Sequence, residues 1–89
     1  PRVDRLADAL VAAIQAQNLR MHRHPRQEAG FSVLKSPDIP SALLELGFLS
    51  SEKDLVRLQD PAWRAKMAAA VRDGLQAWAK DEAARAGVQ

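Results

Sequence analysis

The chain has 89 residues, enough for one small domain or for part of a larger one. Apolar residues make up 47%, an ordinary globular proportion, and 13 basic against 11 acidic residues leave a net charge of +2, too little for a global attraction to nucleic acid or membrane. Cysteine is absent, which excludes disulfides and thiolate metal sites and leaves the redox compartment open. No apolar run approaches the roughly 20 residues that cross a bilayer, and no signal peptide is visible. The chain enters a helical pattern at once, with no initiator Met, so it reads as beginning inside a longer protein.

Residues 1–18 are predicted as an amphipathic helix. Val3, Leu6, Ala7, Leu10, Val11 and Ile14 recur at helical spacing, and Asp4, Arg5, Asp8 and Gln15 fall elsewhere. The end is set near Gln17 or Asn18, because Asn tolerates the left-handed C-cap conformation. "LRMHRHPRQEAG" then reads as a polar, basic connection broken by Pro25 and Gly30. In "FSVLK", Phe31 and Val33 alternate with Ser32, which predicts a short strand over 31–35. Pro37 and Pro40 make the next stretch a loop, since two prolines so close deny both helix and central strand.

"ALLELGF", residues 42–48, supports two readings by local chemistry. Ala, Leu and Glu favour helix, with Ser41 as a cap and Gly47 as a stop, yet the helix would be under two turns long. A continuous apolar run bounded by turn signals also reads as a strand buried on both faces. Ser50 or Ser51, followed by Glu52 and Asp54, opens a short helix over 52–58. Asp60 and Pro61 open another over 61–82, as N-cap and first helical residue. Its apolar stripe is Trp63, Met67, Ala70, Val71, Gly74, Leu75 and Trp78, and the charged tail beyond it is expected to fray.

Two strands cannot give three helices a satisfactory layered core, and a sheet so small has edges that want neighbours. The expectation is therefore an α/β fold: the C-terminal part, helix-strand-strand-helix-helix, of a domain whose other strands lie upstream.

Glu45 stands alone in an apolar run. Ionised carboxylates are rarely buried without a partner or a purpose. On a strand it would share a face with Leu43 and Gly47, and Gly47, lacking a side chain, would leave space beside the carboxylate. The functional reading is a general base or a metal-associated carboxylate. The plainer one is a Glu paired with an Arg or facing solvent. His22 and His24 form an H-x-H pair, but Arg20, Arg23 and Arg26 around them would repel a cation, and a solvated basic loop is the simpler account. The same stretch as a nucleic-acid contact lacks interleaved aromatics for stacking. Trp63 and Trp78 read as core anchors.

The residues Phe31, Val33, Leu34 and Lys35, then Pro40, Ser41, Leu43, Glu45, Gly47, Phe48 and Ser50, follow the patterns F-x-V-L-K and P-S-x-L-x-E-x-G-F-x-S-N, with a D-x-x-x-L helix and a last helix behind them. Over Ala29 to Leu75 the chain thus resembles the C-terminal portion of the bacterial zinc-dependent N-acetylmuramoyl-L-alanine amidases, the periplasmic cell-division form that trims septal peptidoglycan. Ser51 departs from the pattern, where Asn is usual.

The resemblance implies that 42–48 is a strand of a mostly parallel sheet and that Glu45 is the catalytic glutamate. It implies zinc as cofactor, held by two histidines and a glutamate from motifs that this chain lacks, so His22 and His24 inherit no ligand role. It further implies peptidoglycan as substrate, the N-terminal part of the same amidase as a necessary companion, and an activator protein as a partner. The reaction implied is attack of a water, activated by the metal and deprotonated by Glu45, on the amide between N-acetylmuramic acid and L-alanine. The chain alone is expected to be inactive. The competing reading is a non-catalytic, helix-rich interaction module. In that reading Glu45 would be salt-bridged or solvated.

Overall fold

The computed structural model describes residues 2–19, 31–34 and 39–87, the second of these segments by its backbone. In chain order the elements are α1 (Arg2–Ala16), β1 (Phe31–Leu34), β2 (Ser41–Leu44), α2 (Glu52–Gln59) and α3 (Pro61–Gly87). The expected α/β fold of a mostly parallel sheet is not what forms. The structure is dominated by helices of 15, 8 and 27 residues, and its two strands have four residues each. These strands pair antiparallel, Phe31 opposite Leu44 and Leu34 opposite Ser41. The cause is the connection. Only six residues separate Leu34 from Ser41, whereas a parallel pair needs a crossover of roughly a dozen or more.

The helices end where their local chemistry says they should. Asn18 has φ 59, the left-handed conformation, at the end of α1. The Leu19 N–H donates to the Ile14 carbonyl at 3.3 Å and the Asn18 N–H to the Gln15 carbonyl at 2.9 Å, the two bonds of a Schellman motif. Leu19 and Ile14 then pack together in the core, completing the hydrophobic contact of that motif. Ser51 caps α2, its Oγ accepting the Asp54 N–H at 3.3 Å. Asp60 closes α2 and opens α3: its N–H donates to the Arg57 carbonyl, and its Oδ1 accepts the Ala62 N–H at 3.0 Å. Pro61 follows at the first helical position, where a missing N–H costs nothing.

The core is the seam between α1 and α3. Leu6, Ala7 and Leu10 form one buried cluster, joined by half-buried Val11, Val71 and Trp78. Ile14, Leu19, Met67 and Ala70 form a second, flanked by Trp63 and Val71. Leu44 of β2 touches both clusters, and Ala42 touches the first. Both tryptophans are thus core anchors, and the Trp78 Nε1–H donates to the Arg2 carbonyl at 3.2 Å.

α3 runs to Gly87, five residues past the predicted end at 82, so the described part of the charged tail is helical. Its last turns are tied to α1 by Glu82, whose Oε2 accepts from Arg2 Nε at 3.0 Å and whose Oε1 accepts from Arg5 Nε at 2.9 Å. Arg85 adds a pair to Asp81 at 2.8 Å, one helical turn back.

Candidate functional site

The local geometry around Glu45 starts with β2. By strand alternation Ala42 and Leu44 face the helices and Leu43 the other side, where it is 53% exposed. The strand stops at Leu44, one residue before Glu45 and four short of Phe48, so the predicted strand over 42–48 is corrected to Ser41–Leu44. Glu45, Leu46, Gly47 and Phe48 follow without ladder pairing, and a turn over 49–50 leads into α2. Leu44 is the last residue of β2 paired with a described residue of β1, Phe31.

Glu45 is half-buried, between Leu44 on the core side and the partly exposed Leu46. Among the described residues no arginine or lysine pairs with its carboxylate, so the salt-bridged arrangement that a structural glutamate would adopt is not formed with any of them. Its sequence neighbours are apolar, and Leu43, Leu46 and Phe48 are exposed, at 53%, 44% and 41%.

Gly47 does not do what its place beside Glu45 suggests. The space a side chain would take is filled by Asp54: a Cβ on Gly47 would stand 3.1 Å from Asp54 Cβ and 3.2 Å from Asp54 Cγ. None of the described glycines, Gly47 among them, has positive φ, so the requirement at Gly47 is close approach and not a special backbone angle. Asp54 Oδ2 also accepts the Phe48 N–H at 2.9 Å, and Asp54 Oδ1 accepts from Arg57 Nη1 at 3.1 Å. Asp54 is the residue that sequence reasoning passed over. Its signal was present, an acid at the third position of α2 after a Ser cap, but it read only as a helix-start preference.

His22, His24, Arg20, Arg23 and Arg26 lie outside the described residues. Among the described residues no group of three His, Cys, Asp or Glu side chains gathers in a way that would hold a metal ion. Glu45 by itself does not make a zinc site, which takes three or four protein ligands. No described helix is long and apolar enough to cross a membrane.

With this geometry in place, the likeness to known proteins is informative. A family model described as N-acetylmuramoyl-L-alanine amidase matches residues 1–77. The chain is 39% identical over 71 residues to the probable cell wall amidase LytH of Staphylococcus aureus, covering 80% of this chain and 24% of that protein. It is 34% identical over 64 residues to the N-acetylmuramoyl-L-alanine amidase AmiC of Escherichia coli, covering 72% of this chain and 15% of that protein. The chain therefore spans a quarter or less of the length of these curated relatives. No solved structure matches it. The matched span takes in α1, both strands, α2 and most of α3, including Glu45 and Asp54, and the chain belongs to the N-acetylmuramoyl-L-alanine amidase family.

Proposed function

We propose that this chain is the part of a peptidoglycan hydrolase that carries the general base, Glu45, and that the complete protein cleaves the amide joining N-acetylmuramic acid to L-alanine. The observation that carries the reading is the state of Glu45: a half-buried carboxylate with apolar neighbours and no arginine or lysine paired to it among the described residues. A carboxylate kept from a permanent partner is available to take a proton. The family membership supplies the substrate class that such a base would serve.

In this reading a water oxygen attacks the amide carbonyl carbon while its proton passes to a Glu45 carboxylate oxygen. The C–N bond then breaks as the proton moves from Glu45 to the departing nitrogen, giving the lactyl carboxylic acid and the L-alanine amine; the acid proton then passes to the amine, so the products are a carboxylate and an ammonium group. Zinc is the cofactor of the proposal, with ligands from residues outside this chain; when bound, it supplies Lewis-acid polarisation and acidifies water. The N-terminal part of the same amidase is thus a required companion, an activator protein a further partner, and the periplasm, during cell division, the place of action.

The test is Glu45→Gln in the complete protein, assayed on purified peptidoglycan by the appearance of free L-alanine amino groups. Removing a general base lowers turnover by about 10²–10⁴-fold, with zinc content unchanged. Near-normal hydrolysis by this variant overturns the assignment.

A further inference from the structure

Among the described residues Glu45 has no ladder partner, since β2 ends one residue earlier. What holds the segment is at its two ends. On one side Leu44 is packed into both core clusters. On the other, Phe48 is fastened through both backbone groups: its N–H donates to Asp54 Oδ2 at 2.9 Å, and its carbonyl accepts the Ser51 N–H at 3.0 Å. Gly47 packs closely on the Asp54 side chain, where a Cβ would stand 3.1 Å from Asp54 Cβ. Glu45, Leu46 and Gly47 lie between the two anchors, Leu44 and Phe48.

The Asp54 carboxylate is itself oriented. Its backbone N–H is held by the Ser51 hydroxyl at 3.3 Å, and its Oδ1 is held by Arg57 at 3.1 Å, which leaves Oδ2 aimed at Phe48. A hydrogen bond from a backbone N–H to an ionised carboxylate is about twice as strong as a neutral one. Catalytic side chains must be kept within about 0.5 Å of productive geometry, and a misplacement of about 1 Å costs on the order of 10²-fold in rate.

We infer that Asp54 is a positioning residue for the reaction: through the Phe48 N–H and its contact with Gly47 it sets the direction in which Glu45 presents its carboxylate. The inference rests on the general-base reading of Glu45. Asp54 touches no reacting atom, and its effect passes through the 45–48 backbone. Gly47 and Asp54 are coupled, because a Cβ at 47 would stand 3.1 Å from Asp54 Cβ and 3.2 Å from its Cγ and would require the Asp54 side chain to shift by a few tenths of an ångström.

The experiment uses the complete, zinc-loaded protein and purified peptidoglycan. It compares Asp54→Ala, Asp54→Asn, Glu45→Gln and the Glu45→Gln/Asp54→Ala double variant by kcat, KM, zinc content and thermal midpoint. Expected for Asp54→Ala is a kcat loss of about 10–100-fold with KM and zinc content unchanged. That loss should largely vanish in the Glu45→Gln background, where no base remains to be aimed. Asp54→Asn, which keeps an oxygen for the Phe48 N–H, should restore most of kcat. The inference is overturned if Asp54→Ala lowers only the thermal midpoint, or lowers kcat by the same factor with and without Glu45. A normal kcat in Glu45→Gln alone is a different failure, that of the base assignment, and it removes the inference with it.

Discussion

Gly74 of α3 meets Leu10 of α1 backbone to backbone: a Cβ on Gly74 would stand 2.9 Å from Leu10 Cδ2, 3.0 Å from Leu10 Cα and 3.2 Å from the Ala9 carbonyl oxygen. The first of these atoms is the end of a side chain and can move. The other two are backbone and cannot, short of moving the helix. Gly74→Ala therefore sets two effects against each other. Helix propensity improves by about 1 kcal/mol, while overpacking a close crossing costs typically about 1–3 kcal/mol. The expected net result is a lower unfolding midpoint in urea for the complete protein, with Gly74→Val worse than Gly74→Ala. A raised midpoint for Gly74→Ala would show that the two helices separate easily at this crossing.

Asn18 ends α1 with φ 59, and the two Schellman bonds depend on that angle. An ordinary side chain in the left-handed region costs roughly 1–2 kcal/mol. Asn18→Ala should therefore lower stability by about 1 kcal/mol, and Asn18→Gly should leave it unchanged or raise it slightly. Thermal unfolding of the two variants side by side makes the comparison. Equal midpoints would mean that the positive φ is not what terminates the helix.

How much of this was legible in the sequence depends on how local the cause is. The cap of α2, the Asp60–Pro61 start of α3 and the left-handed Asn18 are each decided within a few residues, and the residue types announce them. The α1 and α3 stripes are legible for the same reason: Leu6, Ala7, Leu10 and Ile14 on one helix, and Met67, Ala70 and Gly74 on the other, repeat at helical spacing and are the residues buried. The direction of the sheet is not legible in the strands' own residues, because it is set by the length of the connection; the end of β2 at Leu44 is likewise a property of pairing and not of the apolar run 42–48. Asp54 was missed since its contacts with Gly47 and Phe48 span a turn and exist only after folding.

Glu82 makes the junction of α1 and α3 sensitive to acid. Its side chain is 16% exposed and lies between Arg2 and Arg5. Partial desolvation pushes its carboxyl up, but the hydrogen bonds from Arg5 and Arg2, together with their charges, outweigh this and hold it below the ordinary carboxylate value of 4.5. A carboxylate with a depressed folded pKa contributes stability that is fully present above its unfolded pKa and is lost as pH falls through the folded value. Wild type should therefore exceed Glu82→Gln in denaturant midpoint at pH 7, and the gap should close progressively below about pH 4.5. Since Arg2 is largely exposed, added salt should narrow the gap at neutral pH as well. A gap independent of pH would assign the effect to shape and not to charge.

Glu45→Asp separates the charge of the base from its reach. The variant keeps a carboxylate among the same sequence neighbours but withdraws it by one carbon–carbon bond, about 1.5 Å. Leu44 and Phe48 fix the backbone on both sides, so the chain cannot advance to make up the distance. For a general base that must lie within hydrogen-bond reach of the attacking water, a displacement of this size costs on the order of 10²-fold in kcat. The expected outcome in the complete protein is that loss, with zinc content and KM near wild type. Full turnover with Asp at this position would mean that the group taking the proton tolerates displacement, which a directly contacting base does not, and the role would have to move to another carboxylate.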